Sequence, residues 1–326
     1  MTIGSNRIWY FFLIWVTFVS NSLASEAKFA SPLNIGEHTV QLNGMKLWYK
    51  VSGTGPICLM PTPAWGPSSV LYYRTLQSIE KHFTIVYIDS RGTGRSGRAK
   101  TLQGYTWDHL IGDLETLRAH LEQDSIWLMG HSAGGAQILQ YACKHRNRVS
   151  GLVLLDAMAV IDVKWEADVK KRLNWRKGNP LYEDALRAWQ LQPTKNDPEL
   201  KDEDVKRWLD AVLPLYWSDP TKIKRFKDDF AAWTLSAEAY MGSELSRRYP
   251  LDLRIALKNV KAPTLIVVGD DSFCCSPESA TIMHLALPNS KLLLIEKCGH
   301  FPWLEQPSIF ETRVSEFLQA LGLCEK

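Results

Sequence analysis

A serine, a histidine and a carboxylate, each at the end of an expected β-strand, are the residues of this 326-residue chain that can combine for nucleophilic chemistry. The serine is Ser132, in Gly130-His131-Ser132-Ala133-Gly134-Gly135. An apolar run, 126–129, precedes it and a helical pattern follows, so residues 125–140 read as strand, sharp turn, helix. Gly130, Ser132 and Gly134 satisfy G-x-S-x-G, in which the serine occupies a strained turn and small neighbours let strand and helix approach. A hydroxyl becomes a nucleophile when a base takes its proton, which imidazole does near neutral pH. His300, just past the apolar run 291–296, is the expected base; His131, inside the turn, is expected to pack. A carboxylate must fix the imidazole and stabilise its charged form. Acyl transfer would also need N–H donors for the oxyanion. Ala133, next to the nucleophile, is one; Pro61, Pro63 and Pro67 have no N–H, which leaves Ala64 or Trp65 as the second.

These groups need a frame that gathers strand ends along one edge. Residues 40–51 form two alternating runs around Asn43-Gly44, a hairpin signal. Residues 56–60 and 83–89 are further strands, 67–81 a helix that Ser68 or Ser69 can cap, and 107–122 a helix with Leu110, Leu114, Leu117 and Leu121 on one face. After the turn helix, 153–156 is a buried strand. The same alternation resumes with 264–269, 277–287, 291–296 and a closing helix over 307–321. It argues for an α/β fold with a mostly parallel sheet flanked by helices. Between 158 and 258 no apolar strand stands out, and six tryptophans (Trp165, Trp175, Trp189, Trp208, Trp217, Trp233) lie among helix-favouring segments. This stretch is expected to be a helical cap, its tryptophans mostly packing and one or two lining an aromatic pocket. The core then comprises 25–157 and 259–326.

A net charge of +3 without a long basic run argues against nucleic-acid binding. Gly92, Gly94 and Gly97 spell G-x-G-x-x-G after a strand, but no helix opens there, and the dinucleotide reading fails. Arg7, the apolar residues 8–19 and a small-x-small pattern ending at Ala24 predict a signal peptide over 1–24, hence an exported protein; the run is shorter than the roughly 20 residues of a membrane span. Export permits disulfides. Of the six cysteines, Cys58 and Cys143 are expected in the core, and a disulfide among Cys274, Cys275 and Cys298 is expected near the acid and the base. The cysteines show no metal-ligand spacing along the chain.

The elbow (GHSAGG), the Asp89-Ser90-Arg91-Gly92-Thr93-Gly94-Arg95-Ser96 stretch, the Gly299-His300-Phe301-Pro302-Trp303 segment and the cap before the acid strand together resemble the α/β-hydrolase fold, within it the proline iminopeptidase-like serine hydrolases. The resemblance spans nearly all of the chain after residue 24. It implies a Ser, Asp, His triad, no cofactor, and release of N-terminal proline from short peptides. Two departures matter. The usual His-Gly-Gly-Pro-Gly loop is replaced by Thr62-Pro63-Ala64-Trp65-Gly66, stiffer and bulkier, so a carboxylesterase with the same triad is the alternative. The usual acid position, three residues past Gly269, holds Ser272. A one-residue shift gives the role to Asp271, with Asp270 beside it. Asp156 is the rival, because some dehalogenase-like members carry the acid after the earlier strand. The displaced acid also leaves open a non-catalytic binding protein. An aminopeptidase would need a carboxylate for the substrate amine, with Glu183, Glu203, Glu238 and Glu244 as cap candidates.

Overall fold

Strand alternation in this chain sorts side chains onto two faces of one sheet, and each face has its own core. The computed structural model describes residues 31, 33–194, 197–245 and 250–323; the expected signal peptide lies outside them. The sheet has eight strands: β1 (Gly36–Leu42), β2 (Met45–Gly53), β3 (Ile57–Pro61), β4 (Thr84–Asp89), β5 (Ile126–His131), β6 (Val149–Leu155), β9 (Thr264–Gly269) and β10 (Ser290–Ile295), in the order β1-β2-β4-β3-β5-β6-β9-β10. The β1–β2 and β2–β4 pairs are antiparallel and the remaining pairs parallel. Asn43 and Gly44 turn the opening hairpin with φ of 49° and 73°, the left-handed pair that a two-residue hairpin loop demands.

Successive residues of the parallel strands face opposite ways. Met129, Val153, Leu155 and Val267 enter one buried cluster, while Leu128, Leu152, Leu154 and Ile266 enter the other. Both faces are therefore covered, which the strands' unbroken apolar runs require. Helices α2 (Trp107–His120), α3 (Ala133–Lys144) and α10 (Pro277–Ala286) cover the second face. Helices α1 (Val70–Thr75) and α12 (Pro307–Ala320) cover the first, together with part of the segment between β6 and β9.

That segment holds α4 (Val163–Trp175), α5 (Glu183–Trp189), α6 (Asp202–Val212), α7 (Lys227–Ala232), α8 (Ala237–Leu245) and α9 (Arg254–Leu257). It is not free of strands: β7 (Val160–Ile161) pairs antiparallel with β8 (Leu251–Asp252), two residues each, so its beginning and end are joined. Pairs this short lack the apolar run that betrays a strand in sequence. All described elements fall in one unit, Pro32–Lys326. Among the described residues no helix is long and apolar enough to cross a membrane.

Two buried carboxylates hold loops at the sheet's carboxyl edge. Asp89, at the end of β4, accepts from the Ser69 N–H and hydroxyl, both at 2.7 Å, and from the Arg95 N–H at 2.8 Å. Ser69 is the residue before α1, but its hydroxyl serves Asp89 and leaves the helix uncapped by a side chain. The expected helix over 67–81 is correspondingly short, ending at Thr75 before a separate turn at Gln77–Ile79. Gly94 passes so close to Asp89 that an added Cβ would stand 2.1 Å from Oδ2, which explains a glycine in the phosphate-loop-like pattern without any nucleotide. The second carboxylate is Glu305, in α11 (Pro302–Glu305). It accepts from Gly299 N–H at 2.8 Å and from Ser218 N–H at 2.9 Å. Burial pushes its carboxyl up to about 7, against the pull of those N–H groups.

Two measurements check these roles. Asp89→Ala leaves the buried Ser69 N–H and the part-buried Arg95 N–H without an acceptor and is expected to cost about 3 kcal/mol in urea unfolding; an unchanged midpoint would contradict the role. For Glu305, the folded protein binds a proton more tightly than the unfolded chain, so stability falls as pH rises from 4.5 to about 7. The loss amounts to about 3 kcal/mol. Glu305→Gln is expected to flatten that slope, read as unfolding midpoints across this range.

Candidate active site

The turn between β5 and α3 forces Ser132 into φ 55°, ψ −128°, a conformation that costs a non-glycine residue about 1–3 kcal/mol. The Ser132 N–H donates to Leu155 O at 3.0 Å and its carbonyl accepts from Gly135 N–H at 2.9 Å, so the neighbouring strand and the first helical turn fix the bend. The surrounding glycines are required by space. A Cβ on Gly130 would lie 2.7 Å from Gly134 O, and one on Gly135 would lie 2.2 Å from the Ala157 Cβ.

His300 stands in the loop after β10. Its N–H donates to Tyr216 O at 2.7 Å, and its carbonyl lies 2.9 Å from His131 Nε2. A carbonyl only accepts, so Nε2 of His131 carries the proton, and its Nδ1 takes the Tyr72 hydroxyl at 3.1 Å. Burial, and then the nearby His300, push His131 well below the ordinary histidine range. His131 is thus a neutral strut beneath the His300 loop, in keeping with the packing role read from sequence.

The expected acid is not where the imidazole is. Asp271 forms an ion pair with Arg176 at 3.2 Å, and Asp270 accepts from Cys298 N–H at 3.1 Å. The side chains that face His300 Nδ1 are Ser272, with Oγ at 3.3 Å, Cys274, with Sγ at 3.6 Å, and Asp156, with Oδ1 at 3.9 Å. Asp156 is fully buried, has φ 41°, and accepts a long hydrogen bond from Gly269 N–H at 3.4 Å. Asp156 Oδ2 is buried without a hydrogen-bond partner. Burial drives the Asp156 carboxyl well above the usual range, while His300 and Ser272 pull it back. For His300, burial disfavours the charged form, but Cys274 and Asp156 outweigh it and raise the imidazole. The choice of Asp271 from the strand-end register is therefore corrected: the loop after Gly269 turns Asp271 toward α4 and leaves Ser272 beneath the base.

The cysteine expectation is corrected as well. Cys274, Cys275 and Cys298 are free thiols. Cys298 Sγ turns to Gly299 O, Cys275 is buried, and Cys274 Sγ lies 3.6 Å from His300 Nδ1. Their position near His300 is read from the sequence, where they flank the two strand ends; the disulfide among them is what the structure does not have.

Ser132, His300, Ala133, Ala64 and Trp65 all line one cavity of about 200 Å³. Ala133 opens α3, where the first N–H groups have no intrahelical acceptor and point outward. Trp165, Trp189, Trp208 and Trp233 form much of the remaining wall, whereas Trp175 is exposed and Trp217 lies in the core. Among the described lining residues there is no carboxylate. Glu183 and Glu203 face solvent, Glu238 accepts from the Tyr105 hydroxyl at 2.7 Å, and the Glu244 side chain lies outside the described residues.

Residues 60–307 match the family model described as alpha/beta hydrolase fold. Proline iminopeptidase from Clostridioides difficile (strain 630) is 25% identical over 311 residues, covering 88% of this chain and 99% of that protein. An alpha/beta fold family hydrolase from Bacillus anthracis str. Sterne superposes with a TM-score of 0.70 at 20% identity, covering 86% of this chain and 99% of that one. A thermophilic esterase from Thermogutta terrifontis superposes with a TM-score of 0.61 at 22% identity, over 87% of this chain and 98% of that one. With the elbow, the strand order and this span of agreement in hand, the chain belongs to the alpha/beta hydrolase fold family.

Proposed function

We propose that this chain is a serine hydrolase that cleaves esters of apolar acyl groups through an acyl-enzyme on Ser132. The observation that carries the reading is the cavity itself: strained serine, imidazole and helix start open into an aromatic chamber whose described walls hold no carboxylate. A chamber of this kind desolvates an apolar acyl chain favourably and has, among its described residues, no carboxylate to pair with a free amine.

In this mechanism Ser132 Oγ attacks the ester carbonyl as His300 Nε2 takes its proton. The N–H of Ala133, with that of Ala64 or Trp65, receives the oxyanion. His300 then returns the proton to the departing alcohol, and water, activated by the same imidazole, releases the acid. The other imidazole nitrogen faces Ser272 and Asp156. The proton on Nδ1 stays on the ring, with Ser272 Oγ as its acceptor at 3.3 Å and the Asp156 carboxylate 3.9 Å away. The carboxylate thereby steadies the imidazolium without taking its proton. The peptidase reading has one observation in its favour, the proline iminopeptidase relatives that match most of the chain.

Three assays test this. A fluorophosphonate is expected to label Ser132 in the wild type and not in Ser132→Ala. Aryl esters of medium-length acids are expected to turn over while proline arylamide does not; efficient release of proline would overturn the ester assignment. Asp156→Asn is expected to lower kcat about 10³- to 10⁴-fold, whereas Asp271→Asn, which breaks a part-exposed ion pair, stays within about fivefold. The reverse ranking would return the acid role to Asp271.

A further inference from the structure

We propose that Cys274, Cys275 and His300 form a site for a thiophilic divalent metal ion, of which zinc is the physiological type, and that an ion bound there switches the hydrolase site off. The second half of this statement rests on the catalytic role given to His300 above; the first does not.

The two sulfurs and an imidazole nitrogen lie within 4.8 Å of one another. Cys274 Sγ is 3.6 Å from His300 Nδ1 and 3.9 Å from Nε2. In a tetrahedral zinc site, bonds of about 2.3 Å to sulfur and about 2.0 Å to nitrogen place neighbouring ligand atoms about 3.5 to 3.8 Å apart. Cys274 and His300 thus stand near coordination distance already, and Cys275 lies within about 1 Å of it. Among the described residues no other set of three histidine, cysteine or acidic groups comes together in this way.

The position is also built. Ser272 and Phe273 ahead of the pair are fully buried, the Trp165 indole donates to Cys274 O at 2.8 Å, and Ser276 behind the pair caps α10 by accepting from Ser279 N–H at 3.3 Å. His300 is held by Tyr216 O and the His131 ring. Little chain entropy remains to be lost when an ion draws the ligands together. Cys274 lines the cavity and gives the ion its entry, while Cys275 and His300 are buried behind it.

Donor type selects the ion. Two sulfurs and one nitrogen suit zinc or cadmium and not magnesium or calcium, which take oxygen ligands. Each thiol gives its proton to solvent as its metal bond forms, so two thiolates cancel the charge of the dication and the buried complex is neutral. Ser132 lines the same cavity as Cys274 and His300, so an ion held there lies beside the serine. Bound through Nε2, which lies 3.9 Å from Cys274 Sγ, the ion takes the imidazole lone pair that would otherwise accept the serine proton.

The test titrates cadmium into the full, reduced chain in a non-chelating phosphine. A thiolate-to-metal absorption is expected to saturate at one ion per chain, with parallel loss of fluorophosphonate labelling, both reversed by a chelator. Cys274→Ser and Cys275→Ser are each expected to weaken binding at least about tenfold. Circular dichroism identifies a variant that has not folded, and Cys274→Ser, at the part-exposed position, decides if Cys275→Ser fails. Absence of a saturable band, a band undiminished by Cys274→Ser, or full labelling at saturating cadmium would overturn the proposal. If the metal-free protein is never labelled, the hydrolase reading fails, and the band with its loss on substitution still judges the site.

Discussion

The contact on which the site depends is the approach of α3 to the end of β6, where Gly135 runs so close to Ala157 that no side chain fits between them. Pressed together in this way, the two neighbouring strand ends bend alike. Ser132 leaves β5 at φ 55° and Asp156 leaves β6 at φ 41°. Each bend is fixed by a backbone hydrogen bond to the next strand over, Ser132 N–H to Leu155 O and Asp156 N–H to Val267 O. Ser132 and the buried carboxylate are thus parts of one backbone arrangement, and His300 follows β10 beside it.

Placing the carboxylate on β6 has an electrostatic price. Asp156 has no solvent and few donors, so its charge is supported mainly by the imidazole and by Ser272. A hydroxyl in the position three residues past Gly269 is what makes the arrangement workable, because it can accept from the imidazole and donate to the carboxylate at once. A second aspartate there would have put two buried like charges beside each other.

Much of this was legible in the sequence, and the failures have identifiable causes. The Asn43-Gly44 hairpin, the alternating parallel strands and the elbow depend on local patterns a few residues long, and their elements stand where those patterns put them. Ser132 and His300 open into the same cavity, as their strand ends suggested. The acid was misplaced because counting from Gly269 fixes positions along the chain but not the direction in which the loop turns. That direction comes from distant partners: Asp270 N–H bonds to Ile295 O, Asp271 N–H to Cys298 O, and Arg176 of the region after α4 attracts the Asp271 carboxylate. The same holds for the tryptophans. Composition announced an aromatic region, but only packing separates Trp217 in the core from Trp208 at the cavity wall.

The pairing of Val160–Ile161 with Leu251–Asp252 carries a consequence of its own. It brings the first and last residues of a long excursion to a single point on the sheet's edge, so in topological terms the excursion is a closed loop on a narrow stem. Chain length beyond such a stem changes the closure entropy only logarithmically. Helices can therefore be lengthened, exchanged or lost above the stem while the strand order and the elbow below it stay as they are. The aromatic chamber walls above the stem and the elbow with His300 below it meet at one cavity, yet they are free to diverge at different rates.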